Sequence, residues 1–119
     1  IKIALATASD RRIVEPALQR VGISGYFSHI VTCTECSTSK SKPDIYLLCA
    51  KLLGTEPYET VVFEDALMPI KTAVSAGFKV AAVYDKQNEP EEAEIRRNCA
   101  IYIEEYGGFN ENSINNRRK

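Results

Sequence analysis

Tryptophan is absent from this sequence, and histidine and methionine each occur once. Positive and negative residues are nearly balanced, with a formal net charge of -1. A nearly neutral chain lacks the basic field that attracts a polyanion, so we expect no nucleic-acid partner. No apolar run approaches the roughly 18 residues of a membrane span. The apolar run at residues 3–8 is also too short for a signal peptide. These missing signals favour a cytoplasmic protein with no membrane partner.

Metal-binding cysteine and histidine patterns are also scarce. Cys33 and Cys36 form a CxxC pair, which can mean zinc or redox chemistry, but Cys49 and Cys99 form no second close pair and His29 is the single histidine. A structural zinc site needs about four ligands. We therefore interpret the cysteines as reduced thiols, two of them buried as small apolar side chains.

Short apolar runs alternate with helical stretches along the chain. The patterns predict strands at residues 2–6, 29–32, 60–63, 79–84 and 100–103, and helices at residues 10–21, 43–53, 70–74 and 89–98. The composition of the strand at residues 60–63 predicts burial on both faces. Alternating strands and helices indicate an α/β fold in three layers, with a parallel sheet between helices. Because such sheets bind ligands at the carboxyl ends of their strands, the residues that follow each strand are the candidate site.

The first predicted strand is followed by Thr7, Ala8, Ser9 and Asp10. Hydroxyl groups and free backbone N–H groups at a helix start can bind phosphate oxygens. The alternative is a plain helix cap by Ser9 or Asp10, which needs no ligand.

A lysine precedes the helix that Pro43 begins. Lys42 places an ammonium group beside a helix N-terminus, and the two positive features together favour a dianionic phosphoryl group. The alternative is a lysine in a solvated loop.

Two adjacent acids, Glu64 and Asp65, follow the third apolar strand. Carboxylates next to a buried strand are unfavourable unless something pairs with them. Oxygen ligands together with a phosphate are what Mg²⁺ prefers. The alternative is that Asp65 caps the next helix while Glu64 is solvated.

Three successive strand ends thus carry a hydroxyl, a lysine and an acid pair, which are the groups that metal-assisted phosphoryl transfer needs to neutralise charge. In this order, residues 3–9, 41–46 and 62–65 resemble the second, third and fourth motifs of the haloacid dehalogenase superfamily, and most of all its β-phosphoglucomutase-like branch. The resemblance covers residues 1–106, which we interpret as a partial core domain followed by a mobile tail at residues 107–119.

The resemblance implies a Rossmann-like fold, Mg²⁺ as the cofactor and a small phosphorylated metabolite, of unspecified identity, as the substrate. Thr7 and Lys42 would act in catalysis by contacting the phosphoryl group. The phosphate pocket that the family motifs imply consists of Thr7, Ala8, Ser9 and Lys42. Asp65, with Glu64 assisting, would hold the Mg²⁺.

One family motif is missing from these residues. The superfamily carries Asp-x-Asp on a first, central strand that precedes a cap insertion, and the sequence contains no such motif. The first aspartate attacks phosphorus to give an aspartyl-phosphate, and the second acts as general acid and base. We therefore expect the chain alone to be inactive. Ala66 and Pro69 also replace the usual serine and glycine after the acid pair.

The central strand would lie between the strand that ends at Thr7 and the strand that ends at Phe63. We expect the resulting gap to be filled by a partner chain, to close by direct pairing, or to belong to an N-terminal segment outside this sequence.

The leading functional hypothesis is that the chain is part of a phosphatase. Alternatives are a phosphomutase, a non-catalytic phosphate-binding or scaffold module, and an unrelated nucleotide-binding domain, although the first strand lacks the Gly-x-Gly-x-x-Gly turn.

Overall fold

Strands and helices alternate along residues 1–105, the part of the chain that the computed structural model describes. The strands are β1 (Ala4–Thr7), β2 (His29–Thr32), β3 (Val61–Glu64), β4 (Lys79–Val83) and β5 (Ile101–Ile103). The helices are α1 (Arg11–Arg20), α2 (Asp44–Leu53), α3 (Leu67–Ser75) and α4 (Glu92–Asn98). None of these helices is long and apolar enough to cross a membrane. The predicted domain end at residue 106 and the predicted tail at residues 107–119 lie outside the described residues.

The five strands form two parallel sheets instead of one. In the first sheet β1 pairs with β2, with Ala4 opposite His29. In the second sheet β3, β4 and β5 pair in that order, with Val61 opposite Lys79. The parallel α/β fold is therefore confirmed. β1 and β3 do not pair with each other, so direct closure of the expected gap does not occur in the described part of the chain.

Helix α2 connects the two sheets. It ends where Gly54 adopts a left-handed conformation (φ 75°), which glycine reaches without a steric penalty. The helix packs against β1 and β2, and the ring of Tyr46 meets the ring of Phe78 edge-on at 6.2 Å, next to β4. The buried core is continuous across both sheets and includes Val31, Ile45, Cys49, Ile70, Ala73, Val80 and Ile95.

The prediction that both faces of β3 are buried is wrong. Successive side chains of a strand point to opposite faces, and β3 divides accordingly: Val62 packs against the core and Glu64 is buried, whereas Val61 is 47% and Phe63 is 60% exposed. Apolar composition predicted burial because a parallel strand normally has helices on both sides. Here only one face of β3 packs against the core.

The cysteine interpretation agrees with the structure. All four thiols are free, and Cys33 and Cys49 are buried in the core. Cys36 and Cys99 are only partly buried and pack at its margin. The two buried thiols therefore act as small apolar side chains.

We expect Ile45→Ala to lower the free energy of unfolding by about 2–5 kcal/mol, because Ile45 of α2 is fully buried in the core. Leu47→Ala, in the same helix but 41% exposed, is the matched control and should have a clearly smaller effect. Urea unfolding followed by circular dichroism measures both variants. Equal losses would show that Ile45 is not packed in the core as described.

Candidate functional site

An open depression of about 510 Å³ lies at the carboxyl ends of the strands. Ala8 lines it from the turn after β1, residues 33, 34 and 37–40 line it from the loop after β2, and Met68 lines it from the start of α3. The segments that follow β1, β2 and β3 therefore meet at one rim, as expected for ligand sites of parallel sheets.

A buried carboxylate, Glu64, lies at the end of β3 on this rim. Its side chain is 8% exposed and its Oε1 accepts hydrogen bonds from Lys40 Nζ at 2.6 Å and from the Tyr46 hydroxyl at 3.0 Å. Burial, reinforced by the negative charge of Glu64, raises the pKa of Tyr46 well above its usual value. The hydroxyl therefore stays protonated and remains a hydrogen-bond donor. A buried charge is tolerated when it is paired and hydrogen-bonded in this way.

Lys40, two residues before the predicted phosphate ligand Lys42, contacts Glu64 of the acid pair. The backbone N–H of Lys42 donates to the Ser39 carbonyl and closes a turn, and the Lys42 side chain is exposed and makes no ion pair with any described residue. Both lysines belong to one Ser-Lys-Ser-Lys stretch, so their spacing from the helix did not distinguish them. The turn at residues 39–42 separates the two side chains, and only that of Lys40 contacts Glu64.

Asp65 follows Glu64 directly and has a different environment. It is partly buried, its backbone carbonyl accepts a hydrogen bond from Asn88 Nδ2 at 3.1 Å, and its carboxylate makes no ion pair with any described residue. The cap position of α3 is Ala66, with no side-chain cap. The alternative in which Asp65 caps the helix while Glu64 is solvated is therefore not what the structure shows. Pro69 fits the first turn of α3, where no N–H partner is needed.

The turn after β1 presents polar groups at the start of α1. The Ser9 N–H donates to Thr7 Oγ1 at 3.0 Å, which leaves the Thr7 hydroxyl hydrogen free to donate elsewhere. The Thr7 carbonyl accepts from the Cys33 N–H at 2.9 Å, which fixes the turn beside the loop after β2. Asp10 occupies the cap position, but its side chain makes no cap hydrogen bond. Ala8 and Ser9 are exposed.

Arg11 is a structural residue that the sequence patterns did not single out. Its guanidinium binds Glu35 through Nε and Nη2, both at 2.9 Å, and binds Glu15 at 2.8 Å. It also donates to the Ile30 carbonyl. These contacts lower the pKa of Glu35, chiefly through the hydrogen bond from Arg11. The network ties α1 to the loop that carries Lys40.

The carboxylates of Glu64 and Asp65 are suitable protein ligands for a Mg²⁺ ion. Within residues 1–105 no group of three or more histidine, cysteine or acidic side chains is arranged to hold a metal ion. Mg²⁺, however, is commonly bound by one or two carboxylates, with water and substrate phosphate completing its shell. Asp65 offers a carboxylate that no described cation neutralises, and the contacts to Glu64 use only Oε1.

Comparison with known proteins identifies the family of the chain. A family model of haloacid dehalogenase-like hydrolases matches residues 1–77. The chain belongs to this family. The resemblance of the motifs is thereby confirmed, and with it an enzyme family of the hydrolase kind.

Relatives in this family include sugar-phosphate enzymes. A fructose-1-phosphate phosphatase of Escherichia coli is 37% identical over 81 residues, which are 68% of this chain and 43% of that protein. A phosphorylated carbohydrates phosphatase of Thermotoga maritima is 37% identical over 79 residues, 66% of this chain and 37% of that protein. The structure of a β-phosphoglucomutase from Clostridium difficile matches with a TM-score of 0.74 and 26% identity, covering 98% of this chain and 48% of that one. The chain thus spans less than half the length of these relatives.

Removal of the Tyr46 hydroxyl tests the pairing of Glu64. We expect Tyr46→Phe to lower the free energy of unfolding by about 1.5–3 kcal/mol, because a buried carboxylate loses a donor. Tyr58→Phe is the control, since Tyr58 is 69% exposed, and should change stability by less than about 0.5 kcal/mol. Urea unfolding at neutral pH compares the two. If Tyr46→Phe leaves the free energy of unfolding unchanged, water replaces the tyrosine hydroxyl as a donor to Glu64.

Stability should fall at alkaline pH because of Cys49. Burial, with a smaller contribution from nearby Cys36, raises the pKa of its thiol from 9.0 to about 11. The unfolded chain then loses the thiol proton at lower pH than the folded chain, so the stabilisation is complete below pH 9 and is lost towards pH 11. Cys49→Ala should reduce this decline by roughly 2 kcal/mol in unfolding titrations. An unchanged slope would show that Cys49 does not contribute.

Proposed function

We propose that this chain is the phosphate-binding part of a Mg²⁺-dependent phosphatase that acts on a small phosphorylated metabolite through an aspartyl-phosphate. The observation that carries the proposal is the position of Lys40, which lies on the Glu64 carboxylate at the rim where the three strand ends meet. Membership of a hydrolase family supports it, and the names of the two phosphatase relatives favour a phosphorylated sugar.

Different rim residues would make different contacts with a bound phosphoryl group. Lys40 supplies the positive charge that was predicted for Lys42, and the Thr7 hydroxyl donates a hydrogen bond to a phosphoryl oxygen. Ala8 and Ser9 form the adjoining wall. Asp65, with Glu64 assisting, would hold Mg²⁺, which when bound offsets the negative charge of the phosphoryl group.

The attacking group is not among these residues. The sequence has no Asp-x-Asp motif, so the proposal places the nucleophile and the general acid on another part of the full polypeptide and expects no turnover by the chain alone. A cytoplasmic location belongs to the same proposal.

A phosphomutase is the second candidate, favoured by the structural match to a β-phosphoglucomutase. The two reactions differ in the group that accepts the phosphoryl from the enzyme, which is water in a phosphatase and a substrate hydroxyl in a mutase. Both would use the same lysine and the same acid pair.

Lys40→Met and Lys42→Met make a matched pair for a binding test. We expect Lys40→Met to weaken the binding of inorganic phosphate by about tenfold or more, because a charged hydrogen bond to phosphate contributes about 1.5 kcal/mol or more. Lys42→Met, two residues away and exposed, should leave the affinity nearly unchanged. Isothermal titration calorimetry with phosphate, in the presence and absence of Mg²⁺, gives the affinities.

Loss of Lys40 also leaves Glu64 without its ion-pair partner, so folding needs a separate control. The double variant Lys40→Met/Glu64→Gln removes both charges and should stay folded while still binding phosphate weakly. If Lys42→Met weakens binding and the double variant does not, the assignment of Lys40 is wrong. If the unchanged chain binds no phosphate, a scaffold role replaces the phosphatase proposal.

A further inference from the structure

Two cysteines that the proposed function does not use lie in the loop after β2. Cys33 follows β2 directly and is buried in the core, whereas Cys36 is only partly buried and packs at the core margin. Both thiols are free, and Cys33 also lines the open depression. The rim therefore has a pair of thiols beside it, and no step of the proposed reaction uses them.

One helical turn, residues 33–36, carries both cysteines, and we call it the dithiol turn. The Cys36 N–H donates to the Thr32 carbonyl at 3.2 Å, which is the hydrogen-bond pattern of an α-helix. Residues three apart in such a turn lie on the same side, with about 5–6 Å between their Cβ atoms, whereas a disulfide needs about 3.5–4.5 Å. A bond between Cys33 and Cys36 therefore requires the turn to tighten by about 1–2 Å.

Contacts to α1 fix one side of the dithiol turn. The Glu35 carboxylate accepts two hydrogen bonds from Arg11, both at 2.9 Å, and the Glu35 N–H donates to Thr32 Oγ1 at 3.1 Å. The Thr34 hydroxyl donates to Asp10 Oδ1 at 3.4 Å. Because these two residues lie between the cysteines and are held by α1, tightening of the turn must move the residues that follow it.

The residues that follow the dithiol turn lead to Lys40. Ser37 has a left-handed backbone conformation (φ 50°), and the Thr38 N–H donates back to the Cys33 carbonyl at 3.0 Å. This hydrogen bond spans six residues, as in the Schellman motif that ends many helices. Lys40 lies two residues beyond Thr38 and binds Glu64 at 2.6 Å. Movement of the dithiol turn is thus transmitted to the segment that places Lys40.

We propose that Cys33 and Cys36 are a reversible oxidation site, in which a peroxide converts the two thiols to a disulfide and the disulfide displaces Lys40 from Glu64. Cys36, the more exposed, attacks the peroxide as a thiolate, and its sulfur becomes a sulfenic acid. The hydroxide that leaves takes up the proton released by the thiol. The Cys33 sulfur then attacks the sulfenic sulfur, the S–O bond breaks and a second water leaves with the Cys33 proton. Two thiols and one hydrogen peroxide thus give one disulfide and two waters.

Cys49 of α2 is the alternative partner for Cys36. The two thiols lie close enough for Cys36 to contribute to the raised pKa of Cys49, although burial is the main cause. A thiol with a pKa of about 11 stays protonated at neutral pH and is a weak nucleophile. The packing of α2 against β1 and β2 also fixes the position of Cys49, whereas Cys33 shares one turn with Cys36. Cys33 is therefore the favoured partner.

Mass spectrometry of the full 119-residue chain, treated with hydrogen peroxide and digested with trypsin without reduction, tests the disulfide. Cleavage after Arg20, Lys40 and Lys51 puts both cysteines of the dithiol turn in residues 21–40 and Cys49 in residues 41–51. We expect peptide 21–40 to lose about 2 Da, the mass of two hydrogens, and to regain it with dithiothreitol.

Two serine variants make a matched pair for this measurement. Cys36→Ser should abolish the loss of about 2 Da from peptide 21–40, because the disulfide needs both thiols. Cys99→Ser removes the other partly buried thiol, at the end of α4, and should leave the loss unchanged. No loss from peptide 21–40 in the unchanged chain, or a crosslink between peptides 21–40 and 41–51, would overturn the proposal.

Amide chemical shifts of the ¹⁵N-labelled chain, reduced and oxidised, test the displacement of Lys40. We expect Thr38, Lys40 and Glu64 to shift on oxidation and to return with dithiothreitol, whereas Lys71, on another part of the surface, should not shift. Unchanged shifts at Lys40 and Glu64 would overturn the displacement.

The effect of the disulfide on phosphate rests on the proposed function. Oxidation should weaken phosphate binding by about tenfold, as expected for loss of the lysine charge, and should have no effect in Cys36→Ser. If the reduced chain binds no phosphate, the proposed function fails, while peptide masses and amide shifts still decide the oxidation site. If the reduced chain binds phosphate and the oxidised chain binds it equally well, the displacement of Lys40 is wrong.

Discussion

The carboxylate of Glu64 is the group on which the arrangement of the site depends. It is buried at the end of β3, and its two donors come from the loop after β2 and from α2. An isolated carboxylate in such a place is strongly unfavourable. The buried position of Glu64 at the end of β3 therefore depends on Lys40 and Tyr46. Removal of one partner of a buried ion pair typically lowers the free energy of unfolding by about 3–5 kcal/mol.

This interaction also joins two sheets that share no backbone hydrogen bond. β1 and β2 are connected to β3 through α2, the buried core and the contacts to Glu64. Within residues 1–105, the arrangement that assembles the rim leaves β1 and β3 unpaired with each other and leaves Val61 and Phe63 on β3 exposed.

The sequence predicted the elements well, because the alternation of apolar runs with helical stretches is local information. The contact between Lys40 and Glu64 was not predictable from spacing, since it depends on the turn at residues 39–42. The exposure of Phe63 was missed for a related reason. Apolar composition reports a tendency to be buried, but not whether the covering layer is present. The Arg11 network was missed because it joins residues distant in sequence.

We propose that the ends of β1, β2 and β3 form one phosphate-binding rim. Titration of the uniformly ¹⁵N-labelled chain with inorganic phosphate, followed by amide chemical shifts, tests it most directly. We expect the largest shifts to fall together at Ala8, Ser9, Lys40 and Asp65, whereas Arg96 and Lys71, basic residues elsewhere on the surface, should stay unchanged. Shifts centred on Arg96 or Lys71, or no shifts at all, would contradict it.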